Sequence, residues 1–326
     1  MSRLNLTLGV LAILLIAASA MIGTADLSAD DLWSGLLGQT GPSSIIIWEI
    51  RMPRAVAAFV TGASLGLAGA ALQGLLRNPL ADPGVLGVSA FASLGAVIAL
   101  YFGLASLTWL AVPLLAIGFS VVAVILLLVA AGPKGDTVRT LLVGIGLSSA
   151  GGAMIALALN LAPNPYSLAD LMNWLLGSVS NRSWADIVLV LPVMALGLGI
   201  VLVAGPGLRA LSLGDETAAS LGARPGRTRA LVIAGTSLLT GASVAIAGAI
   251  GFVGIVAPHI VRPFVRSDPA RLLVPSALLA GVILLGADIV IRVLPFDREL
   301  RLGVAAALFG APVFIWISAR LTRGRL

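Results

Sequence analysis

The chain has 326 residues, of which 59% are hydrophobic and only 10% are charged, and its formal net charge is +6. So few polar residues cannot cover a soluble globule of this size, which excludes an ordinary soluble protein and indicates a chain in a lipid bilayer. The positive charge does not indicate nucleic-acid binding, because the basic residues stand singly or in pairs at the ends of apolar runs.

Apolar runs long enough to cross about 30 Å of hydrocarbon as helices recur along almost the whole chain. No alternating pattern of a membrane β-barrel accompanies them. The first run resembles a secretory signal, but it is long and many others follow, so we interpret it as an uncleaved span. We predict an all-α polytopic membrane protein with ten spans, near residues 4–23, 55–76, 85–104, 108–131, 140–161, 186–204, 229–249, 252–265, 272–291 and 303–319.

The basic residues are divided unevenly between the two sides that ten spans define. With the N-terminus inside, 14 of the 20 basic residues lie on the inner side, so both termini are expected to face the cytoplasm. The outer connections 24–50 and 162–185 each contain a predicted amphipathic helix at the membrane interface. The inner connection 205–228 is the most polar in the chain, and we expect a cytoplasmic partner to bind it.

Residues 61–70 and 240–249 read TGASLGLAGA and TGASVAIAGA and are identical at seven of ten positions. Their glycines permit close helix approach. The two segments lie five spans apart and would therefore cross the membrane in opposite directions. This favours one permease domain with an inverted repeat of spans 2–5 and 7–10, at about 51–161 and 229–319, which is typical of transport proteins. A chance similarity of two helices rich in Ala and Gly is the alternative.

Groups for catalysis or ion coupling are scarce in the chain. The only lysine, Lys134, has no phosphate-binding loop around it, so no nucleotide hydrolysis is expected here. Asp288 lies inside a span, four residues before Arg292, which favours a local ion pair over a proton relay. His259 is interpreted as a hydrogen-bonded structural residue. With no cysteine either, we expect no enzyme, no cofactor and no metal in this chain, and an energy source on another chain.

Four long stretches resemble one known family in order and spacing over about residues 45–320. They read RMPRAVAAFVTGASLGLAGAALQGLLRNPLADPGVLGVSA, LGDETAASLGARPGRTR, GAIGFVGIVAPHIVR and LGVAAALFGAPVFIWI. The family is the FecCD family, the permease subunits of type II ABC importers for iron chelates and cobalamin. The resemblance implies ten transmembrane helices per subunit and a homodimer with the pathway at its two-fold interface. It also implies two cytoplasmic ABC ATPase subunits, which bind the ATP and magnesium, and a periplasmic substrate-binding protein.

The resemblance also implies roles for particular residues. On the outer face, Arg51, Arg54 and Arg292 are expected to be exposed and to dock an acidic binding protein. On the inner face, a cytoplasmic gate is expected at Asn78, Asp136 and Thr137, after Pro79 and Pro83 end the second span. Asp136 departs from the family pattern, because the cobalamin member has a neutral hydroxyl residue there.

A short coupling helix is expected inside the loop 205–228, where it would bind the ATPase. It should begin near Asp215, with that carboxylate as its cap, and end near Gly222. The residues assigned to ATPase coupling are Gly214, Asp215, Glu216, Thr217, Ala218, Leu221 and Gly222.

The sequence therefore predicts a multi-pass ABC importer permease in contact with the lipid of a bacterial inner membrane. Its expected cargo is a bulky metal chelate, an iron–siderophore complex or haem, moved from the periplasm to the cytoplasm. Cobalamin is the alternative cargo. Two other classes stay open, an ion-coupled carrier and a structural membrane subunit.

Overall fold

The computed structural model describes residues 2–23, 25, 27–39, 41–132, 137–294 and 299–323. These residues form helices and connections and contain no strand. A π-helical turn, Ile46–Arg51, joins α3 to α4, and 3₁₀ turns at Pro83–Leu86 and Arg262–Val265 precede α5 and follow α13. The α-helices are α1 (Ser2–Met21), α2 (Ala29–Leu36), α3 (Pro42–Ile45), α4 (Met52–Leu76), α5 (Val88–Tyr101), α6 (Leu104–Leu107), α7 (Ala111–Ala131), α8 (Thr137–Asn160), α9 (Pro165–Leu175), α10 (Trp184–Leu211), α11 (Asp215–Ser220), α12 (Pro225–Ala247), α13 (Val253–Val261), α14 (Pro269–Val293) and α15 (Leu302–Arg323).

Each predicted span coincides with one of these helices. By length and composition, seven described segments can cross a membrane: α1, the continuous segment from α3 to α4, α7, α8, α10, α12 and α14. The other three, α5, α13 with its 3₁₀ turn and the apolar part of α15, are shorter. The all-helical membrane class is confirmed, and the number of ten crossings stays a prediction.

Helix α4 lies at the centre of the molecule and packs against α14, α12, α13 and α10. Glycines on α4 allow this close packing. A Cβ atom at Gly66 would lie 2.3 Å from the Cβ of Ala280 on α14, and one at Gly69 would lie 2.0 Å from the carbonyl oxygen of Gly254 on α13. Because lipid is as apolar as the side chains, such close van der Waals contact is what holds membrane helices together.

The second glycine-rich segment, in α12, packs in the same manner. A Cβ at Gly241 would lie 2.1 Å from the hydroxyl oxygen of Ser120 on α7. Gly248 ends α12 with a φ of +70°, and a Cβ there would lie 2.4 Å from the carbonyl oxygen of Trp174. Both segments therefore use glycine for the close helix approach that the sequence predicted.

The polar loop predicted over 205–228 is shorter in the structure. Helix α10 begins at a capping box between Ser183 and Asp186 and continues to Leu211, past the predicted end at residue 204. Pro206 does not stop it, since a proline removes one N–H donor and membrane helices tolerate that loss. The connection between α10 and α12 therefore contains little besides α11.

Candidate functional site

Five charged residues gather at the end of α4 and α14 that was predicted to face outward. We call Arg51, Arg54 and Arg292, together with Asp288 and Glu299, the outer arginine cluster. Arg54 of α4 donates to both carboxylate oxygens of Asp288 on α14, with its Nη2 atom 2.7 Å from Oδ1 and its Nε atom 3.1 Å from Oδ2. The same guanidinium donates to Glu299. The cluster thus joins two central helices through one arginine.

Arg292 approaches Asp288 from the same helix. Its Nε atom lies 3.2 Å from Oδ2 of Asp288, which confirms the predicted local ion pair. Its other nitrogens turn to α1, where Nη1 donates to the carbonyl oxygen of Ile22 at 2.9 Å and Nη2 donates to the hydroxyl of Ser19. With two arginines on it, Asp288 is only 1% exposed. A buried carboxylate in a membrane protein is stable only when it is paired in this way.

Arg51 ends the π-helical turn and also turns inward. Its guanidinium donates to the carbonyl oxygens of Ala20, Met21 and Ala25, the last at 2.6 Å. A Cβ added to Gly23 would lie 2.6 Å from the Nε atom of Arg51, so a larger residue there would displace the guanidinium from its present position. Arg51 therefore fixes the end of α1 to the start of α4.

The expectation that all three arginines are exposed is wrong in this structure. Arg51 is 5% exposed and the side chain of Arg292 is 3% exposed, because their donors are used by backbone carbonyls and by Asp288. The side chain of Arg54 is 13% exposed. Glu299, which the sequence did not single out, is the most accessible member at 37%. Burial raises the pKa of Glu299, but the hydrogen bond and charge of Arg54 outweigh it and hold that pKa below its usual range.

The predicted coupling helix exists as α11, Asp215–Ser220. Gly222, with a φ of +83°, closes it: its N–H donates to the carbonyl of Ala219, while the N–H of Ala223 donates to that of Ala218. Ala218 is fully buried, and the exposed Leu213 and Leu221 flank the helix. Glu216 and Thr217 are also exposed. The helix therefore presents both polar and apolar side chains on an open surface.

The predicted capping role of Asp215 is wrong. Gly214 occupies the position before the first helical residue, and no side chain caps the helix. The carboxylate of Asp215 instead pairs with Arg77, at 3.1 Å, and with Arg229 on α12. These partners are distant in sequence, and each offers a full charge where a cap offers only backbone N–H groups. Asp215 thus ties α11 to the end of α4 and to α12.

Helix α4 ends at Leu76, before Pro79 and Pro83, as the sequence predicted. Arg77 takes the left-handed conformation with a φ of +48°, and the side-chain oxygen of the exposed Asn78 accepts a hydrogen bond from the N–H of Leu80 at 3.0 Å. Farther on, Ser148 of α8 donates to the carbonyl of Gly84 at 2.9 Å, which fixes the 3₁₀ turn to α8. Asp136 and the side chain of Thr137 lie outside the described residues, so the grouping of the three gate residues stays a prediction.

His259 on α13 is not the hydrogen-bonded residue that we expected. Its Nδ1 atom is buried and has no hydrogen-bond partner in the described part of the chain. In the same residues, no three His, Cys, Asp or Glu side chains come close enough to hold a metal ion.

Known proteins resemble this chain in both sequence and fold. A family model described as the FecCD transport family matches residues 11–320. The chain belongs to the FecCD transport family. Its fold also agrees with a solved structure described as an inward-facing conformation of a putative metal-chelate type ABC transporter. That likeness has a TM-score of 0.88 and 28% identity and covers 98% of this chain and 100% of the other.

Curated FecCD relatives are similar over most of their lengths. The vitamin B12 import system permease protein BtuC of Vibrio cholerae is 40% identical over 303 residues, which is 92% of this chain and 88% of the relative. An uncharacterised ABC transporter permease protein of Bacillus subtilis, YvrB, is 39% identical over 298 residues, or 90% and 84%. The chain is therefore a multi-pass membrane permease of the ABC importer class.

Proposed function

We propose that this FecCD permease is the membrane subunit of an ATP-driven importer that carries a bulky metal chelate, an iron–siderophore complex or haem. The observation that carries the proposal is the family match over residues 11–320, joined by the fold likeness to a metal-chelate type ABC transporter. Transport runs from the periplasm to the cytoplasm across a bacterial inner membrane, with both termini inside. Two copies form the path between them, two ATPase subunits bind ATP and magnesium, and a periplasmic protein delivers the cargo.

ATPase coupling is assigned to α11 and the glycines that bound it, Gly214 and Gly222. The open surface of α11 and its flanking leucines support this role. Its ion pairs support it further, because Asp215 connects α11 to Arg77, the residue next to Asn78. A displacement of α11 by an ATPase therefore reaches the segment assigned to the cytoplasmic gate at Asn78, Asp136 and Thr137.

Binding-protein docking is assigned to Arg51, Arg54 and Arg292. Arg54 has the largest exposed fraction of the three and is the one an incoming carboxylate can reach. Its accessible partner is Glu299, so an acidic side chain of the binding protein competes with Glu299 for this guanidinium. Arg51 and Arg292 stabilise the surrounding backbone through buried hydrogen bonds to its carbonyl groups.

Alternating access uses the two halves of an inverted repeat. The packing supports this, because the repeat pairs α4 with α12 and α7 with α14. Gly62 of α4 lies against Ala280 of α14, and the matching Gly241 of α12 lies against Ser120 of α7. The matching glycines of α4 and α12 therefore contact helices that also match each other in the two repeats. This correspondence favours duplication over chance similarity.

Cobalamin is the second candidate cargo. It is favoured by the 40% identity to the Vibrio cholerae vitamin B12 permease, which is higher than the identity to the solved metal-chelate type transporter. Both cargoes are bulky metal complexes that need a wide path, so the two candidates share one mechanism.

Reconstitution tests the proposal. The permease is purified with the chains that accompany it, placed in liposomes with its binding protein, and given radiolabelled iron–siderophore, haem or cobalamin. We expect uptake of one iron chelate only when ATP and both partner chains are present. Uptake of cobalamin alone favours the second candidate, and uptake by the permease alone on an ion gradient contradicts the ATP-driven mechanism.

A further inference from the structure

A cavity of about 660 Å³ opens between α10 and α12, beside the connection that contains α11. Its rim carries Arg224 and Arg227, and its inner wall is formed by Val203, Ala204 and Leu231. No role assigned above uses these residues. The cavity therefore combines a cationic opening with an apolar interior.

The two rim arginines are exposed and make no hydrogen bond or ion pair with any residue that the structure describes. Three other arginines at this end of the molecule are paired: Arg229 with Asp215, and Arg209 and Arg271 with Asp268. Two guanidiniums without partners at the mouth of one cavity make it attractive to an anion.

The wall of the cavity adds a polar group without a partner. Thr228 lines the cavity and is 7% exposed, and its hydroxyl makes no hydrogen bond within the described residues. Gly207 opposite leaves space for it, since a Cβ at Gly207 would lie 2.2 Å from the Thr228 hydroxyl oxygen. The hydroxyl oxygen itself keeps some accessible surface, so it can donate a hydrogen bond to an acceptor in the cavity.

The apolar wall lies at the inner ends of the predicted spans 186–204 and 229–249. Val203 precedes the end of α10 at Leu211 by roughly two turns, or about 12 Å, and Leu231 lies about 9 Å along α12 from Pro225. Val203 is 69% exposed, so an apolar ligand can reach its side chain from outside the chain. A ligand here has its anionic group at the helix ends and its apolar part in the hydrocarbon.

We infer that this cavity binds an anionic phospholipid, with the phosphate between Arg224 and Arg227 and the first part of one acyl chain along Val203 and Leu231. Basic pockets between membrane helices are known to hold such headgroups. A soluble phosphate would leave the apolar wall unused, and an acidic segment of a protein partner would bring charge against that wall. The inference is independent of the cargo, and the cavity shares two lining residues, Leu221 and Gly222, with the surface assigned to ATPase coupling.

Native mass spectrometry of the purified full-length chain in detergent tests the site. The chain is titrated with phosphatidylglycerol, with phosphatidylcholine of the same acyl chains, and with glycerol 3-phosphate. We expect wild-type protein to retain phosphatidylglycerol preferentially and the Arg224→Gln/Arg227→Gln variant to bind it about ten- to thirty-fold more weakly. Binding of phosphatidylcholine should not change. Because neither arginine has a described partner, the variant should keep the wild-type elution volume.

The matched control is Arg266→Gln/Arg271→Gln, which removes two exposed arginines from the same end of the molecule outside the cavity. It should retain phosphatidylglycerol as the wild type does. A second variant, Val203→Trp, keeps both rim arginines and obstructs the acyl half, and it should also weaken phosphatidylglycerol binding.

Four results would overturn the inference. They are wild-type lipid retention by the double variant, equal loss in the matched control, glycerol 3-phosphate binding as strong as lipid binding, and unchanged lipid binding with lost ATPase association. The last result would assign the rim to the protein partner.

Discussion

At the scale of single residues, the outer arginine cluster combines a buried core with one accessible edge. Asp288 is held by Arg54 and Arg292, and removing one member of a buried pair costs about 3–5 kcal/mol. Glu299 is more than a third exposed, and its contact with Arg54 is screened by water. The exposed pair can therefore exchange its carboxylate while the buried pair stays intact.

Substitutions at this edge should change docking in opposite directions. Glu299→Gln frees Arg54 from its exposed partner, so we expect faster and tighter capture of the loaded binding protein, most clearly at low salt. Arg54→Gln should weaken capture, and it should also lower the melting temperature because Asp288 loses a partner. Surface plasmon resonance at two ionic strengths measures capture by both variants, and a thermal unfolding curve measures the melting temperature.

The Glu299→Gln variant separates docking from folding, since it leaves the pair of Arg54 with Asp288 in place. If Glu299→Gln and Arg54→Gln both capture the loaded binding protein as the wild type does, Arg54 is not part of the docking site.

At the scale of elements, α11 is a six-residue helix held by ion pairs and by one buried alanine. Six residues are too few to form a stable helix alone in water. The pairs from Asp215 to Arg77 and Arg229 therefore set its position relative to α4 and α12.

Asp215→Asn tests this link. It keeps the side-chain shape but removes the charge that holds both arginines, so ATP hydrolysis by the assembled complex should respond several-fold less to the loaded binding protein. The control is Arg266→Gln, which removes an exposed charge from the same end of the molecule, outside α11 and without a partner among the described residues. A normal response in Asp215→Asn with normal ATPase binding would show that the pairs do not carry coupling.

The glycines of α4 support a second element-scale prediction. Gly69→Ala places a Cβ 2.0 Å from a backbone oxygen of α13, which cannot move as a flexible side chain does, so we expect a loss of several degrees in melting temperature. Gly118→Ala on α7 is the control, because nothing lies within 4 Å of its new Cβ. That change should be neutral or stabilising by up to about 1 kcal/mol through helix propensity. Equal melting temperatures of the two variants would contradict the role of Gly69.

The helices could be predicted from the sequence because an apolar run of membrane-spanning length has few other structures available. The ends were less predictable: α10 passes Pro206, which a local rule treats as a stop. The charged contacts were least predictable. Asp288 and Arg292 are one turn apart and were paired correctly, whereas Arg54 and Asp288 are brought together only by the packing of α4 on α14. The capping interpretation of Asp215 failed for the same reason.

At the scale of the whole molecule, burial is uneven among the long helices. In an apolar 18-residue stretch of the segment that includes α4, 78% of the residues are buried. In the corresponding stretch of α8, only 11% are buried. The sides of α8 expose Leu142, Ile145 and Met154. A helix with so little packing inside its own chain is the natural surface for the second copy in the proposed homodimer.

Disulfide cross-linking tests this assignment without interference from native cysteines, since the chain contains none. Met154→Cys on α8 should form a covalent dimer when the purified protein is oxidised. Ile13 on α1 is more accessible in the monomer, at 68% exposure against 49% for Met154, yet Ile13→Cys should stay monomeric. A dimer formed by Ile13→Cys alone would place the second copy against α1.

The contacts at the end of α1 make the N-terminal segment part of the permease body. Oxygen atoms of residues 19–25 accept all three hydrogen bonds recorded for Arg51 and three of the four recorded for Arg292. If proteolysis or truncation took away this stretch, Arg51 would lose all its recorded acceptors and Arg292 would keep only Asp288, at the end of α4 and α14 that was predicted to face outward. Such a shortened permease would have to rearrange its outward mouth before it could receive any cargo.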